Sequence, residues 1–354
     1  MKKIIKSSFV LAIILCLLFS CVTTSFAAGS ISDDSVLQKI ENRFDESDFG
    51  GCYFKDNKLH INLTDNSSRD KLFSIINNIQ VHYVKNTYAQ LKNYQSTIAK
   101  ILNGIEWAII EINTENNKLI ITIPKSENKY AASVQEYFST IDSELIDIEL
   151  SDGEIQMTSS DKGISPVATS VSLYSGLSVY SSGSFSIGFC TGSGGFYTCG
   201  HAVSTGSTVY YNGTTIGKVT KRKFSGNADA AYVKITNSNY TPVKKWRTGE
   251  TYTAGLMYSR SYVSGRPVTM TGGVSGTSTG AISSSSVTIT TTEGVTLTDM
   301  VKATYKCRKG DSGGGVFDIS KTALGIQSSG YFAHDTDTTS TYSFFSKFEK
   351  VVSI

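Results

Sequence analysis

The chain has 354 residues, a formal net charge of +3 and 40% hydrophobic residues. This length is sufficient for two domains of ordinary size, and the small net charge does not indicate a nucleic-acid-binding protein. The six cysteines are too few for a scaffold that depends on disulfides.

The first 27 residues have the pattern of a secretory signal peptide. Lysines near the start precede an apolar run from Phe9 to Phe19, and small residues lead up to Ala27. The apolar run is too short to span a membrane as a helix. We therefore expect export and cleavage after Ala27. Lipidation of Cys21 stays open as an alternative, although the bulky Phe19 fits poorly into a lipoprotein cleavage box.

After the signal, the chain consists of two regions of opposite charge. Residues 29–172 contain 13 Lys and Arg against 21 Asp and Glu, whereas residues 173–354 contain 17 against 9. Complementary charges favour association. We therefore expect the acidic region to dock on the basic one.

The acidic region, residues 28–172, contains a repeated pattern. The tripeptide Asn-Lys-Leu occurs at Asn57 and at Asn117, and in each case it joins two strand-like runs that precede a helical stretch and a further strand. This pattern predicts an α+β fold with a repeated ββαβ unit, and a separate helix is predicted between the two units. His60 and His82 are interpreted as packing or surface residues, because no catalytic constellation surrounds them.

The basic region is rich in Ser, Thr and Gly, and its apolar runs are short. Runs such as FSIGFC and AAYVKI alternate with turn residues, which is typical of strands. A helical pattern occurs only near the C-terminus, in FSKFEKVV. Many short strands without intervening helices predict an all-β barrel or sandwich.

Three side chains in the basic region suit nucleophilic catalysis. Ser312 lies in Gly-Asp-Ser-Gly-Gly-Gly, where glycines allow a tight loop that presents a hydroxyl and backbone N–H groups. His201 follows a strand and has small neighbours, so that its imidazole can reach a cleft and act as a base. Asp229 stands where a turn enters an apolar strand, and a carboxylate there can orient the imidazole. Taken singly, each of these residues also has an ordinary structural explanation in a turn.

The order His201, Asp229, Ser312 resembles that of the chymotrypsin-like serine proteases, and within them the secreted bacterial streptogrisin and α-lytic protease type. Thr-Cys-Gly-His-Ala-Val is similar to the family's Thr-Ala-Gly-His-Cys, and Gly-Asp-Ser-Gly-Gly-Gly to its Gly-Asp-Ser-Gly-Gly-Pro. The resemblance covers residues 173–354. It implies an all-β double barrel of two six-stranded antiparallel barrels, about 173–243 and 250–354, with the cleft between them.

The resemblance also implies a role for each site residue. Ser312 would be the nucleophile and His201 the general base, oriented by Asp229, while the N–H groups of Gly310 and Ser312 would form the oxyanion hole. The positions that would line the substrate cleft are Gln327, Ser328, Ser329 and Gly330. Glutamate-cutting members of the family carry a histidine where Gln327 stands, which argues against that specificity. We expect neither a cofactor nor a metal ion.

The cysteines depart from the family's pattern. Ala202 replaces the cysteine that usually follows the histidine, and Cys199 lies two residues before the histidine instead. By comparison with the family's disulfide, we expect Cys199 to pair with Cys190, displaced along the same hairpin. Cys307 lacks its usual partner and is expected to be free, while pairing with Cys52 stays open.

The sequence therefore predicts a secreted, extracellular bacterial serine endopeptidase made as an inactive precursor. The acidic region resembles the pro-regions of related proteases, which assist folding and then inhibit the enzyme, and the mature chain would begin near Leu173. We expect protein or peptide substrates, the chain's own pro-region as an intramolecular inhibitor, no nucleic-acid partner, no stable membrane partner and a monomer. A catalytically silent protease-fold binding protein and a cell-wall or adhesion protein are the alternatives.

Overall fold

The structure is a computed structural model that describes residue 44 and the ranges 46–65, 79–158, 171–192, 194–253, 262–334 and 336–354. The predicted signal peptide, with Cys21, lies outside these residues. So does the helix predicted over residues 67–79, except for Ile79, which is the first residue of a strand. In the part of the chain that is described, no helix is long and apolar enough to cross a membrane.

The N-terminal part contains two similar sets of strands. Its elements are β1 (Phe49–Lys55), β2 (Lys58–Leu63), β3 (Ile79–Tyr83), α1 (Tyr88–Ile101), β4 (Ala108–Asn113), β5 (Lys118–Pro124), α2 (Lys129–Ser139), β6 (Ile146–Ser151) and β7 (Glu154–Met157). In both sets the first two strands are antiparallel and the third runs parallel to the second. From β4 to β6 the order is strand, strand, helix, strand, as the repeat predicts.

Helix α1 lies between the two sets because both of its ends and its apolar face are specified locally. Thr87 caps its N-terminus and forms a capping box with Gln90. Leu91 and Ile98, seven residues apart, are buried in one cluster with the apolar residues of β4, β5 and α2.

The C-terminal part is built almost entirely from strands. They are β8 (Val171–Ser175), β9 (Ser178–Tyr180), β10 (Ser184–Ser186), β11 (Phe189–Gly192), β12 (Gly195–Thr198), β13 (Thr208–Tyr211), β14 (Thr214–Ser225), β15 (Ala228–Ile235), β16 (Tyr240–Trp246), β17 (Pro267–Gly272), β18 (Gly276–Thr290), β19 (Thr296–Ala303), β20 (Gly315–Asp318), β21 (Ala323–Phe332) and β22 (Tyr342–Lys347). A short helix, α3 (Phe348–Val352), follows β22.

The first barrel has the strand order β10-β9-β13-β14-β15-β12-β11. The strands at the two ends of this order, β10 and β11, are separated by only two residues of the chain, so the sheet closes on itself as a barrel of six strand positions. Its interior is filled by apolar side chains such as Phe185, Phe196 and Val233. Strands β8 and β16 form a separate parallel pair.

The second barrel has the order β17-β20-β21-β22-β19-β18, and a pairing between β17 and β18 closes it. All of these pairings are antiparallel. The prediction of an all-β double barrel with two six-stranded barrels is therefore confirmed.

Two strand pairings join the N-terminal part to the second barrel. Strand β4 pairs with β18, which places β4, β5 and β6 in one sheet with the barrel, and β7 pairs with β21. Trp107 and Ile155 from the N-terminal part pack with Met300 and Phe344 of the barrel in one buried cluster. Two ion pairs also join the parts, Lys92 with Asp299 at 3.1 Å and Lys302 with Glu111 at 2.6 Å.

Candidate active site

The first barrel brings His201 and Asp229 together. His201 follows β12, Asp229 lies in β15, and these two strands are antiparallel neighbours. The Nδ1 atom of His201 lies 2.7 Å from Oδ2 of Asp229. Because an ionised carboxylate can only accept a hydrogen bond, Nδ1 carries a proton, which leaves Nε2 as the ring nitrogen that can gain or lose one.

The Asp229 carboxylate is fully buried and holds four hydrogen bonds. Besides the imidazole, its oxygens accept from the backbone N–H groups of Gly200 and His201, at 2.7 and 2.9 Å, and from the Ser328 hydroxyl at 2.6 Å. Gly200 is required here because an added Cβ would lie 2.4 Å from the Lys223 carbonyl oxygen. The carboxylate therefore fixes both the main chain and the ring of His201.

Burial and charge act in opposite directions on this pair. Burial alone would lower the pKa of His201, but the charge of Asp229 and its hydrogen bond outweigh burial and raise that pKa well above its ordinary value. Burial alone would raise the pKa of Asp229, but the charge and hydrogen bonds of His201 lower it. The pair is thus stabilised as an imidazolium and a carboxylate.

The second barrel presents Ser312 in a tight loop before β20. Gly310 has a φ of 103°, a region that glycine tolerates and side chains rarely adopt. The buried carboxylate of Asp311 accepts hydrogen bonds from the N–H groups of Val274, Ser275 and Arg308, at 2.9, 2.8 and 2.8 Å. The conformation of the loop is therefore fixed from several sides.

Thr158, at the end of the N-terminal part, occupies the cleft beside Ser312. Its carbonyl oxygen accepts from the N–H of Gly310, and from the N–H of Ser312 at 3.4 Å. Its Oγ1 lies 2.7 Å from Oγ of Ser312 and donates to the Ser328 carbonyl oxygen at 3.2 Å. The two N–H groups predicted as the oxyanion hole thus converge on one peptide carbonyl. Thr158 was not predicted as a site residue, because its only local signal in the sequence is the alternating strand pattern that precedes it.

Ser312 and His201 are not hydrogen-bonded to each other in this arrangement. The Oγ of Ser312 is bonded to Thr158 and to the Ser328 carbonyl oxygen, at 3.2 Å. The Nε2 atom of His201 is buried and has no hydrogen-bond partner among the described residues. Ser328 nevertheless contacts both halves of the cleft, because its hydroxyl reaches Asp229 and its carbonyl oxygen reaches Ser312.

The four predicted substrate-binding residues lie in β21, next to Ser312. Ser329 is paired with Met157 and Gly330 with Gln156, so that β7 adds to β21 as an extra antiparallel strand. Gln327 is buried behind this strand, where its Nε2 donates to the Ser329 carbonyl oxygen at 2.9 Å. No group of three or more His, Cys, Asp or Glu that could hold a metal ion occurs among the described residues.

The predicted disulfide between Cys190 and Cys199 is wrong, since both residues are free thiols. In the hairpin of β11 and β12, Phe189 lies opposite Tyr197 and Gly192 opposite Gly195. Cys199 therefore lies two to three positions beyond any residue opposite Cys190, a displacement of roughly 7–10 Å along the strand that a disulfide does not span. Cys307 is also a free thiol and is buried, as expected.

The chain is similar to one protein family and to several solved structures of proteases. Residues 186–326 match the family described as the trypsin-like peptidase domain. Among solved structures, Thermobifida fusca Protease A is 27% identical, with 52% of this chain and 95% of that chain covered and a TM-score of 0.44. A Cellulomonas bogoriensis chymotrypsin is 26% identical, with 52% and 95% covered and a TM-score of 0.41. A Nocardiopsis protease is 25% identical, with 51% and 94% covered and a TM-score of 0.43.

No curated protein matches the chain. The family match spans the strands that carry His201, Asp229 and Ser312, and it ends within β21. Residues 186–326, in the C-terminal half of this chain, are therefore similar to the trypsin-like peptidase domain.

Proposed function

We propose that this protein is a secreted serine endopeptidase that is made as an inactive precursor. Ser312 is the nucleophile, His201 the general base and Asp229 the carboxylate that orients it. The N–H groups of Gly310 and Ser312 form the oxyanion hole, and β21 binds the substrate as an added strand. Secretion rests on the signal-peptide pattern of residues 1–27.

The reaction proceeds through an acyl-enzyme. As Oγ of Ser312 bonds to the substrate carbonyl carbon, its proton passes to Nε2 of His201 and the carbonyl oxygen becomes an oxyanion. The C–N bond then breaks, and the departing amine takes the proton from His201. Water, deprotonated by His201, attacks the acyl-enzyme and releases the carboxylic acid and Ser312. Each oxyanion-hole donor contributes roughly 3–4 kcal/mol to stabilisation of the transition state.

The observation that carries this proposal is the position of the Thr158 carbonyl. A peptide carbonyl accepts hydrogen bonds from both Gly310 and Ser312, and its strand runs antiparallel to β21. A peptide substrate needs this arrangement, because it places a carbonyl carbon beside Oγ of Ser312 with donors aimed at its oxygen. A surface that only binds a partner would need no donors directed at one carbonyl oxygen.

The same observation supports the role of the acidic region as an intramolecular inhibitor. Thr158 fills the oxyanion hole and is bonded to Oγ of Ser312, so that no second peptide can enter while it is bound. The N-terminal part is also anchored on the second barrel through β4 and two ion pairs. Folding assistance is consistent with this docking, because strands distant in sequence pair slowly unless they are held together.

The test is labelling with a fluorophosphonate, which reacts with an activated serine and needs no knowledge of the substrate. We expect one label, on Ser312 of the processed protein, and its loss in His201→Ala. Intact mass measured in parallel reports whether the N-terminal part has been cut away. Absence of label from a processed and folded chain would contradict the enzyme and favour the catalytically silent binding protein.

A further inference from the structure

Thr158 shows which substrate side chain lies next to the reacting carbonyl. Its carbonyl oxygen is held by Gly310 and Ser312, while Met157 and Gln156 pair with Ser329 and Gly330. Thr158 therefore has the position of the residue whose carbonyl carbon Ser312 attacks. The side chain of that residue is the one that the enzyme recognises most directly.

The Thr158 side chain is small, and its hydroxyl has polar partners. Oγ1 lies 2.7 Å from Oγ of Ser312 and donates to the Ser328 carbonyl oxygen at 3.2 Å. Thr158 is fully buried. A short side chain thus satisfies the near end of the pocket without extending further.

Cys307 and Ser340 lie directly against Gly330, one of the predicted substrate-binding residues in β21. A Cβ placed on Gly330 would lie 2.9 Å from Sγ of Cys307 and 2.8 Å from Cβ of Ser340, which is closer than Cβ atoms in proteins approach other heavy atoms. Sγ of Cys307 also contacts Oγ of Ser340 at 3.3 Å and accepts from Nε2 of Gln327 at 3.2 Å. No space for an additional methyl group remains between Gly330 and these two side chains.

Cys307 and Ser340 are held together by buried hydrogen bonds. The backbone N–H of Cys307 donates to Oγ of Ser340, and the N–H of Ser340 donates to the Cys307 carbonyl oxygen, each at 2.9 Å. The Tyr305 hydroxyl donates to Oε1 of Gln327 at 2.6 Å. Moving Cys307 and Ser340 aside for a larger substrate would leave buried polar groups without hydrogen-bond partners, which is unfavourable.

We propose that the enzyme cuts after small residues only, with Thr, Ser, Ala and Val accepted and Leu, Phe, Lys and Glu excluded, and that Cys307 and Ser340 impose this limit. The proposal rests on the proposed endopeptidase function. It also assigns the peptide bond that follows Thr158 as the chain's own first substrate, fourteen residues before the mature start predicted from the sequence, near Leu173.

The test compares cleavage of peptides that repeat residues 153–163 and differ only at the position of Thr158. The enzyme is the full chain, expressed and allowed to process. We expect kcat/KM for each of the four small residues to exceed that for Leu or Phe by at least about 10-fold. N-terminal sequencing of the processed protein should begin at Ser159. Faster cleavage after Phe or Leu than after Thr would overturn the proposal.

A variant pair tests the closing residues. Cys307→Ala combined with Ser340→Gly opens the wall and should raise the ratio of Leu to Thr cleavage by about 10-fold. Cys190→Ala, which removes a buried thiol from the first barrel, serves as the matched control and should leave this ratio unchanged. An unchanged ratio in a double variant that still reacts with fluorophosphonate would exclude Cys307 and Ser340 as the limiting residues.

Fluorophosphonate labelling separates this proposal from the proposed function. Label on Ser312 without a preference for small residues would reject the specificity and leave the endopeptidase intact. Absence of label from the processed chain would reject both.

Discussion

The two halves of the cleft differ in how complete they are. On the first barrel, Asp229 already holds the ring and the backbone N–H of His201, and it also accepts from the backbone N–H of Gly200. On the second barrel, Ser312 is correctly enclosed by its loop, but its hydroxyl is bonded to Thr158 rather than to His201. In the proposed precursor, inhibition would therefore act on the serine side, whereas His201 and Asp229 are already hydrogen-bonded to each other.

The largest effect on the labelling of Ser312 is expected when Asp229, the carboxylate that holds His201, is replaced. Asp229→Asn removes the charge that raises the pKa of His201 and leaves burial, which lowers it. Catalysis needs neutral His201 and is lost as pH falls through its pKa. The variant should therefore shift the loss to lower pH, and should also lower the labelling rate of Ser312 by about 10³–10⁴-fold, because the imidazole takes the wrong tautomer.

Labelling rates measured from pH 5 to 9 give both quantities. Asp318→Asn is the matched control, since Asp318 is also a buried aspartate with a cationic partner, Arg266 at 2.7 Å, but lies away from the cleft. If Ser312 of the Asp229→Asn variant is labelled at the rate of the unaltered protein, the Asp229 carboxylate is not needed to activate Ser312.

A smaller effect is expected when the serine half is released from Thr158. Arginine at position 158 is larger than the proposed pocket for small residues accepts. Thr158→Arg should therefore expose Ser312 in the uncut precursor and raise its labelling rate by about 10-fold. This factor corresponds to the loss of one or two buried hydrogen bonds. Thr158→Ser keeps the hydroxyl and the small size, and should label slowly. Equal rates for both variants would mean that Thr158 does not cover the serine.

A smaller effect is expected for contacts that lie outside the cleft and dock the N-terminal part on the second barrel. Lys302 lies 2.6 Å from Glu111 across the junction, and both side chains are largely buried. Lys302→Ala leaves that carboxylate without its cation and should destabilise the docked state by about 1–3 kcal/mol. Urea unfolding of the Ser312→Ala precursor, followed by fluorescence, measures this change, because Trp107 lies in the buried cluster at the junction.

Lys55 provides the control for this measurement. Its ion pair with Glu115 is exposed to solvent and lies within the N-terminal part, so Lys55→Ala should leave the free energy of unfolding nearly unchanged. If Lys302→Ala and Lys55→Ala change the free energy of unfolding equally, the buried ion pair at the junction contributes no more to stability than an exposed one.

The smallest effect concerns a pair of histidines in the sheet of β1, β2 and β3. Nδ1 of His60 lies 2.8 Å from Nε2 of His82, and the two rings are stacked. Burial, with the charge of His82, lowers the pKa of His60. The unfolded chain therefore binds a proton that the folded sheet disfavours, and the sheet should lose stability as pH falls from about 7 to 5.

Hydrogen exchange of the β1–β3 amides at pH 7 and 5, corrected for the intrinsic rate, tests this expectation. His60→Gln should flatten the dependence, whereas His334→Gln, at an exposed histidine in a loop, should leave it unaltered. If the corrected exchange rates of the β1–β3 amides are the same at pH 7 and pH 5 in the unaltered protein, protonation of the histidine pair does not affect the stability of the sheet.

Local sequence was sufficient to select the residues that meet at the cleft, for a physical reason. Gly200, Gly310 and the residues around them satisfy backbone requirements that extend over only a few positions, so the pattern can be recognised in one segment. The strand alternation likewise predicted the barrels, since it reflects burial of one face.

Features that depend on long-range register could not be obtained in this way. The disulfide prediction failed because one shift of two or three residues in the β11–β12 hairpin separates Cys190 from Cys199. Thr158 escaped notice because its function depends on pairing with β21, about 170 residues away in the chain. A serine or threonine after a short strand is common, and only the partner strand distinguishes this one.

The pairing of β4 with β18 has a kinetic consequence. If the bond after Thr158 is cut as proposed, the new C-terminus remains attached to a body that is still bound to the second barrel. A short tether of this kind holds an end group at an effective concentration in the millimolar range. Even a weakly binding product end would therefore return to the cleft more often than free substrate enters it. Cutting alone would then not release activity, and the delay before activity appears would be set by the lifetime of the β4–β18 junction.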